Sequence, residues 1–133
     1  AAPGVTVVLA LSNVPAGEYS RQVLQNLSRE LLSFKDEVLS NLVSEESNVR
    51  NVAQKVALGE VDAGIVYRTD VAAARMEGNI TVIKFPEESN VSARYPIAVL
   101  KNSSQKELAR KFLDFVMSEA GQRILSSRGF SSP

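Results

Sequence analysis

The sequence predicts an α/β fold built on a doubly wound, mostly parallel sheet, and three observations predict it. Continuous apolar, β-branched runs at residues 5–11 and 63–67 have strand length and no polar alternation, the pattern of strands covered on both faces. Segments with apolar residues at i, i+3, i+4 and i+7 lie between such runs. Strand-like and helix-like segments then alternate along the chain, as they do when helices cross between parallel strands.

The first strand is Val5-Thr6-Val7-Val8-Leu9-Ala10-Leu11. The turn Ser12-Asn13-Val14-Pro15-Ala16-Gly17 offers polar caps and an early proline, so a helix is expected to start there and to run to about residue 32. Tyr19, Val23, Leu24, Leu27 and Leu31 form its core face. Residues 34–39 carry no clear signal. Leu42-Val43 is a candidate short strand, and Ser47-Asn48 caps a second helix with Val49, Val52, Ala53, Val56 and Ala57 on its apolar face and Gly59 as its stop. After the strand at 63–67, Arg68-Thr69-Asp70 turns into a short helix over residues 71–76, closed by Gly78. Residues 80–85 read as a strand, 86–94 as a polar loop, and 95–100 as a last strand with Pro96 near its start, where a missing N–H is tolerated. Two helices follow, 107–117 with Leu108, Phe112, Leu113, Phe115 and Val116, and 119–127 with Ile124 and Leu125. Gly129-Phe130 closes the chain.

At 133 residues and 44% hydrophobic content, the chain suits a compact α/β unit with a real core. Lysine plus arginine and aspartate plus glutamate balance at 15 each, so no basic field is available to displace counterions, and nucleic acid is not an expected partner. Cysteine is absent, which excludes disulfides, thiolate metal sites and cysteine nucleophiles. Histidine is absent too, which removes the commonest general base and the commonest zinc ligand. With no acidic motif at catalytic spacing, no enzyme, no cofactor and no direct cation ligand is expected. No apolar run approaches the roughly 18 residues of a membrane span. The opening Ala1-Ala2-Pro3-Gly4 shows no export signal, which leaves location open because such signals are removed on processing.

In a sheet of this kind, ligands collect where strand ends lead into helices. Three such places stand out: residues 12–17, residues 47–50 and residues 67–70. The first two are helix starts, where free N–H groups and the positive end of the helix dipole suit an anion. Tyr67 adds a phenolic hydroxyl. Each has an ordinary structural reading as well. Most helix starts bind water, Ser47-Asn48 is a common cap, and a lone tyrosine usually packs in a core with a wet tip. Glu45-Glu46 reads as a solvated turn, and Arg50 and Arg68 as surface arginines.

Taken together, Val14-Pro15-Ala16-Gly17-Glu18-Tyr19, Asn48-Val49-Arg50 and Gly64-Ile65-Val66-Tyr67-Arg68-Thr69-Asp70 resemble, in order and spacing, the second half of the periplasmic molybdate-binding proteins of ABC transporters. The resemblance continues through Phe85-Pro86-Glu87-Glu88-Ser89, Tyr95-Pro96-Ile97-Ala98-Val99 and Arg128-Gly129-Phe130, and covers nearly the whole chain. Each motif is short; the ordered set is what is specific. It implies one lobe of a type II periplasmic-binding-protein-like fold. Residues 1–90 would be the second-lobe core with the site loops, and residues 91–133 a return strand and helices that complete the first lobe in the family. The implied function is capture of a tetrahedral oxyanion, molybdate or tungstate, for ABC-transporter uptake. The location would be periplasmic or extracytoplasmic, with membrane anchoring through an upstream segment as a further option. The implied partners are the oxyanion, the first lobe missing from this sequence and the transporter permease.

The resemblance carries three oxyanion contacts onto this chain: the Ala16 backbone N–H, the Val49 backbone N–H and the Tyr67 hydroxyl. It departs from the family where an Asp-Pro pair often precedes the first turn, since Ala10-Leu11 stand there instead. The implied mechanism is capture by neutral donors, which offset desolvation of a dianion without a first-ring cation. Two other readings stand beside transport. One is a ligand-sensing module on the same fold. The other is an oligomerising module, with a homodimer formed through the C-terminal segment and its apolar face of Phe112, Phe115, Val116 and Ile124.

Overall fold

A computed structural model of the chain describes residues 4–71 and 80–133. The chain divides into two compact units, one ending at Ser92 and one spanning Ala93–Pro133.

The first unit holds a parallel sheet of β1 (Val7–Ala10), β2 (Leu42–Glu46) and β3 (Ala63–Gly64), in the order β2-β1-β3. Around it run α1 (Pro15–Leu27), α2 (Phe34–Ser40) and α3 (Val49–Ala57). The central strand, Val7–Ala10, has no polar position in its sequence, and all four of its residues are buried. Their alternation splits the core into two layers. Val8 and Ala10 pack with Ala16, Val52 and Val61, whereas Val7 and Leu9 pack with Leu24 and Val38. Burying each large aliphatic side chain in these layers contributes about 1.5–3 kcal/mol.

Polar contacts set the register at the sheet's entry. The Thr6 N–H and hydroxyl both donate to Asp62 Oδ2, at 2.7 and 2.6 Å, and the Asp62 N–H donates back to Thr6 Oγ1 at 3.1 Å. These bonds, the side-chain one foremost, hold the Asp62 carboxyl below its ordinary value. Gly64 allows α3 to lie close on the sheet, because a Cβ there would meet Val52 Cγ1 at 2.7 Å. Gly59 ends α3 at φ +73°, as its place in the sequence predicts.

Within the second unit, α4 (Lys106–Met117) and α5 (Glu119–Ser127) are joined at Ser118, whose hydroxyl accepts from the Gly121 N–H. Gly121 permits the sharp junction: a Cβ on it would lie 2.2 Å from the Phe115 carbonyl oxygen. Tyr95 and Phe130 meet edge to face at 6.0 Å. No residue of α4 is buried.

The structure is thus an α/β fold with a small parallel sheet, and several expected boundaries move. The first helix stops at Leu27, not near residue 32, because the Ser28 hydroxyl takes the Leu24 carbonyl and also accepts from the Lys35 N–H. Residues 34–40, which carry no clear signal, form α2. The second strand reaches Glu46, beyond the expected Leu42-Val43. The third pairs only over Ala63–Gly64, since the β1 ladder on that side ends at Val8↔Gly64. The expected strands at 80–85 and 95–100 are not formed: among the described residues no strand lies beside them to complete a ladder, and Ile83 is 85% exposed. Residues 68–71 are helical, earlier than the expected start, and the rest of that helix with its Gly78 stop lies outside the described residues.

Candidate functional site

Because the strands are parallel, their carboxyl ends share one edge, and the turns into α1 and α3 and the segment after β3 all leave from it. Val14 is the N-cap of α1, extended at φ −112° and ψ 150°, and makes no side-chain cap bond. Its carbonyl accepts from both Gly17 and Glu18 N–H at 3.0 Å. Pro15 has no N–H to offer. Ala16 comes next, and among the described residues no acceptor meets its N–H. In α3 the Asn48 side chain accepts from the Asn51 N–H at 3.0 Å, which leaves the Val49 N–H without an intrahelical acceptor. Tyr67 follows β3 and stands edge-on to the Tyr19 ring at 6.5 Å. Ala16, Val49 and Tyr67 all belong to or pack against the core layer of Val8, Ala10 and Val52. Three residues far apart in sequence therefore gather on one face of the central strand.

The corner is held by residues that the turn motif alone does not reveal. A Cβ on Gly17 would lie 2.0 Å from the Leu11 carbonyl oxygen and 2.4 Å from that of Ala10, so the first turn of α1 rests directly on the end of β1. Arg21, one helical turn later, donates through Nη1 to the Ala10 and Gly17 carbonyls at 3.1 and 3.0 Å, and its Nη2 pairs with Glu45. In the sequence, only its place one helical turn after Pro15-Ala16-Gly17 marks Arg21.

The neighbouring charges are matched. Glu45 and Glu46, read from sequence as a solvated turn, instead end β2, and each has a cation: Arg21 for Glu45 and Lys55 for Glu46, the latter at 2.6 Å. Adjacent strand residues project to opposite faces, so they cannot act as a carboxylate pair. Hydrogen bonds from Lys55 and then Ser44 hold Glu46 below its ordinary value. Arg50 and Arg68 are exposed, as expected. Asp70 differs: burial pushes its carboxyl above the ordinary value, with Arg50 nearby and a backbone hydrogen bond from Tyr67 opposing, and its buried Oδ2 meets no partner among the described residues. A depression lined by Glu46, Asn51, Gln54, Lys55, Leu58 and Glu60 includes none of the three candidates, and its two carboxylates oppose an anion. Among the described residues, no group of three or more acidic, His or Cys residues is placed to hold a metal ion.

The three parallel strands thus open, at their carboxyl ends, onto the starts of α1 and α3. Residues 1–131 match the bacterial extracellular solute-binding proteins, and the chain belongs to that family. It is 40% identical over 131 residues to the molybdate-binding protein ModA of Mycobacterium tuberculosis, covering 98% of this chain and 46% of the relative. It is 29% identical over 119 residues to ModA of Escherichia coli, covering 90% and 43%. It is 28% identical over 120 residues to a putative ABC transporter substrate-binding lipoprotein of Bacillus subtilis, also covering 90% and 43%. The chain thus spans about half the length of these curated relatives. No solved structure matches it.

Proposed function

We propose that the chain is one lobe of an extracytoplasmic binding protein that captures a tetrahedral oxyanion, molybdate or tungstate, for uptake by an ABC transporter. The observation that supports this best is the gathering of two helix starts, at Ala16 and Val49, and of Tyr67 against one core layer at the carboxyl end of β1. The similarity to relatives named as molybdate-binding adds the ligand class. On this reading the scaffold is a doubly wound, type II binding-protein-like lobe. Residues 1–90 form its core, and residues 91–133 complete the other lobe. That lobe and the permease are the partners, and any membrane anchor belongs to an upstream segment. No helix among the described residues is long and apolar enough to cross a membrane.

The Ala16 and Val49 N–H groups and the Tyr67 hydroxyl donate to the oxyanion. The dipoles of α1 and α3 favour the charge. Arg21 and Lys55 are engaged with Glu45 and Glu46, so neither is left to bind the dianion as a bare cation. Cavity size separates molybdate from sulfate, and a protonated phosphate is disfavoured because its O–H needs an acceptor. The protein acts as a transport component and performs no chemistry on its ligand.

Because the remaining donors would come from the other lobe, this chain alone is expected to bind molybdate weakly or not at all by calorimetry. Submicromolar affinity in the isolated monomer overturns the half-site reading. Where binding is measured, Tyr67→Phe weakens it by about tenfold, the cost of one hydrogen bond to a charged group; unchanged affinity removes Tyr67 from the site.

A second reading has its own observation. Phe112 is 60% exposed, and Phe115 and Ile124 are exposed with it. A homodimer through this face would make the chain an oligomerising or ligand-sensing module. Sedimentation of a strict monomer at high concentration counts against it.

A further inference from the structure

We infer that Arg21 is the positioning residue of the oxyanion site, locking the start of α1 to the carboxyl ends of β1 and β2 so that the Ala16 and Val49 donors keep a fixed separation. The inference rests on the oxyanion reading for its purpose, though its geometry stands by itself. Arg21 spends both Nη1 hydrogens on carbonyl oxygens, Ala10 at the end of β1 and Gly17 in the first turn of α1. Its Nη2 takes Glu45 of β2. The next residue, Glu46, accepts the Leu11 N–H at 2.8 Å, and Ser47-Asn48 alone separates it from Val49. One planar fork therefore spans the segment that carries the Ala16 N–H and the segment that carries the Val49 N–H.

A surface ion pair alone contributes little. Here the guanidinium is mostly enclosed, its side chain 23% exposed, and two of its three bonds are to backbone. A lysine offers a point charge without the planar geometry, so it cannot reproduce all three bonds at once. Gly17 closes the same corner sterically, because its missing Cβ lets α1 sit on the Leu11 and Ala10 carbonyls. Arg21 supplies the bonds and Gly17 supplies the room. Neither donates to the ligand.

The test uses amide spectra and hydrogen exchange of the 133-residue chain as wild type, Arg21→Met, Arg21→Lys and Glu45→Gln, first without ligand and then with sodium molybdate. Without ligand, Arg21→Met is expected to shift the Ala16, Gly17 and Val49 amides and to speed exchange of the hydrogen-bonded Leu11, Gly17 and Asn51 amides at the two helix starts, while Val38 and Leu39 of α2 keep wild-type values. Arg21→Lys restores part of this. Glu45→Gln keeps the two carbonyl bonds, so it moves Val49 and leaves Ala16 in place. With molybdate, Arg21→Met weakens the response by about tenfold or more, the scale seen when an outer-shell partner of a binding site is lost. Wild-type shifts and exchange at both helix starts in Arg21→Met overturn the positioning role, even if that variant unfolds more easily. A wild-type chain whose amides respond to molybdate away from the two helix starts, with helix starts that still move in Arg21→Met, overturns the oxyanion reading and leaves the corner standing.

Discussion

Strand β1 and helix α4 are both rich in apolar residues, and they end in opposite states. All four residues of β1 are buried between two layers of side chains, whereas no residue of α4 is buried and Leu108 is 64% exposed. The two helix faces compare in the same way. Leu24 of α1 is 2% exposed because β1 and α2 lie against it, whereas Phe112, Phe115 and Ile124 of α4 and α5 remain uncovered. An amphipathic pattern states that a face is to be buried; a partner decides whether it is. The first unit contains its partners. The described residues of the second unit leave its apolar faces exposed.

The largest expected effect is a direct measure of this contrast. Leu24→Ala should cost about 2–5 kcal/mol in urea unfolding, the cavity cost of a buried leucine. Leu108→Ala should stay within about 0.5 kcal/mol, as for an exposed position. Equal losses would mean that the α4 face is covered in solution. Gly17→Ala sharpens the comparison inside the first unit. Its Cβ would collide with backbone, so a loss of about 3 kcal/mol, the upper end for overpacking, is expected in the same assay. Asn48→Ala removes the cap bond to Asn51 and should cost about 1 kcal/mol, visible as a lower thermal midpoint.

The smallest expected effect is a pH dependence. Burial raises the Asp70 carboxyl above its ordinary 3.8, so the folded chain holds that proton more tightly than the unfolded chain does. The stability linked to this group is present below 3.8 and is lost as pH rises through the raised value. Asp70→Asn keeps the side chain neutral. It should therefore be more stable than wild type at neutral pH, with the difference shrinking on acidification. A difference that does not change with pH would show that the carboxyl is not carried as a buried charge.

Much of the first unit is legible in its residues. The β1 run, the Asn48 cap, the apolar face of α3 and the Gly59 stop all rest on interactions within a few residues, and they appear where the pattern places them. The candidates Ala16, Val49 and Tyr67 came from ordered motifs, and the structure brings them to one core layer. Arg21 carries little mark of what it will face, because an arginine on a helix is ordinary, and Asp70 lies in the candidate stretch 67–70 with nothing in the sequence to show its burial. A cation one helical turn after a Pro-Ala-Gly helix start is the one signal that could have pointed to Arg21.

From the sequence by itself come the α/β class, the central strand, the helix starts and the absence of histidine and cysteine chemistry, since each depends on local periodicity or on composition. The tertiary structure alone decided three things. Residues 80–85 and 95–100, strand-like in composition, form no strand because a ladder needs a neighbour that no local pattern supplies. Glu45 and Glu46 became two separate ion pairs because strand pleating sends them to opposite faces. Gly17 and Arg21 became a corner because α1 packs onto the end of β1 more closely than any side chain allows. In each case the deciding contact joins residues whose proximity exists only once the chain has folded.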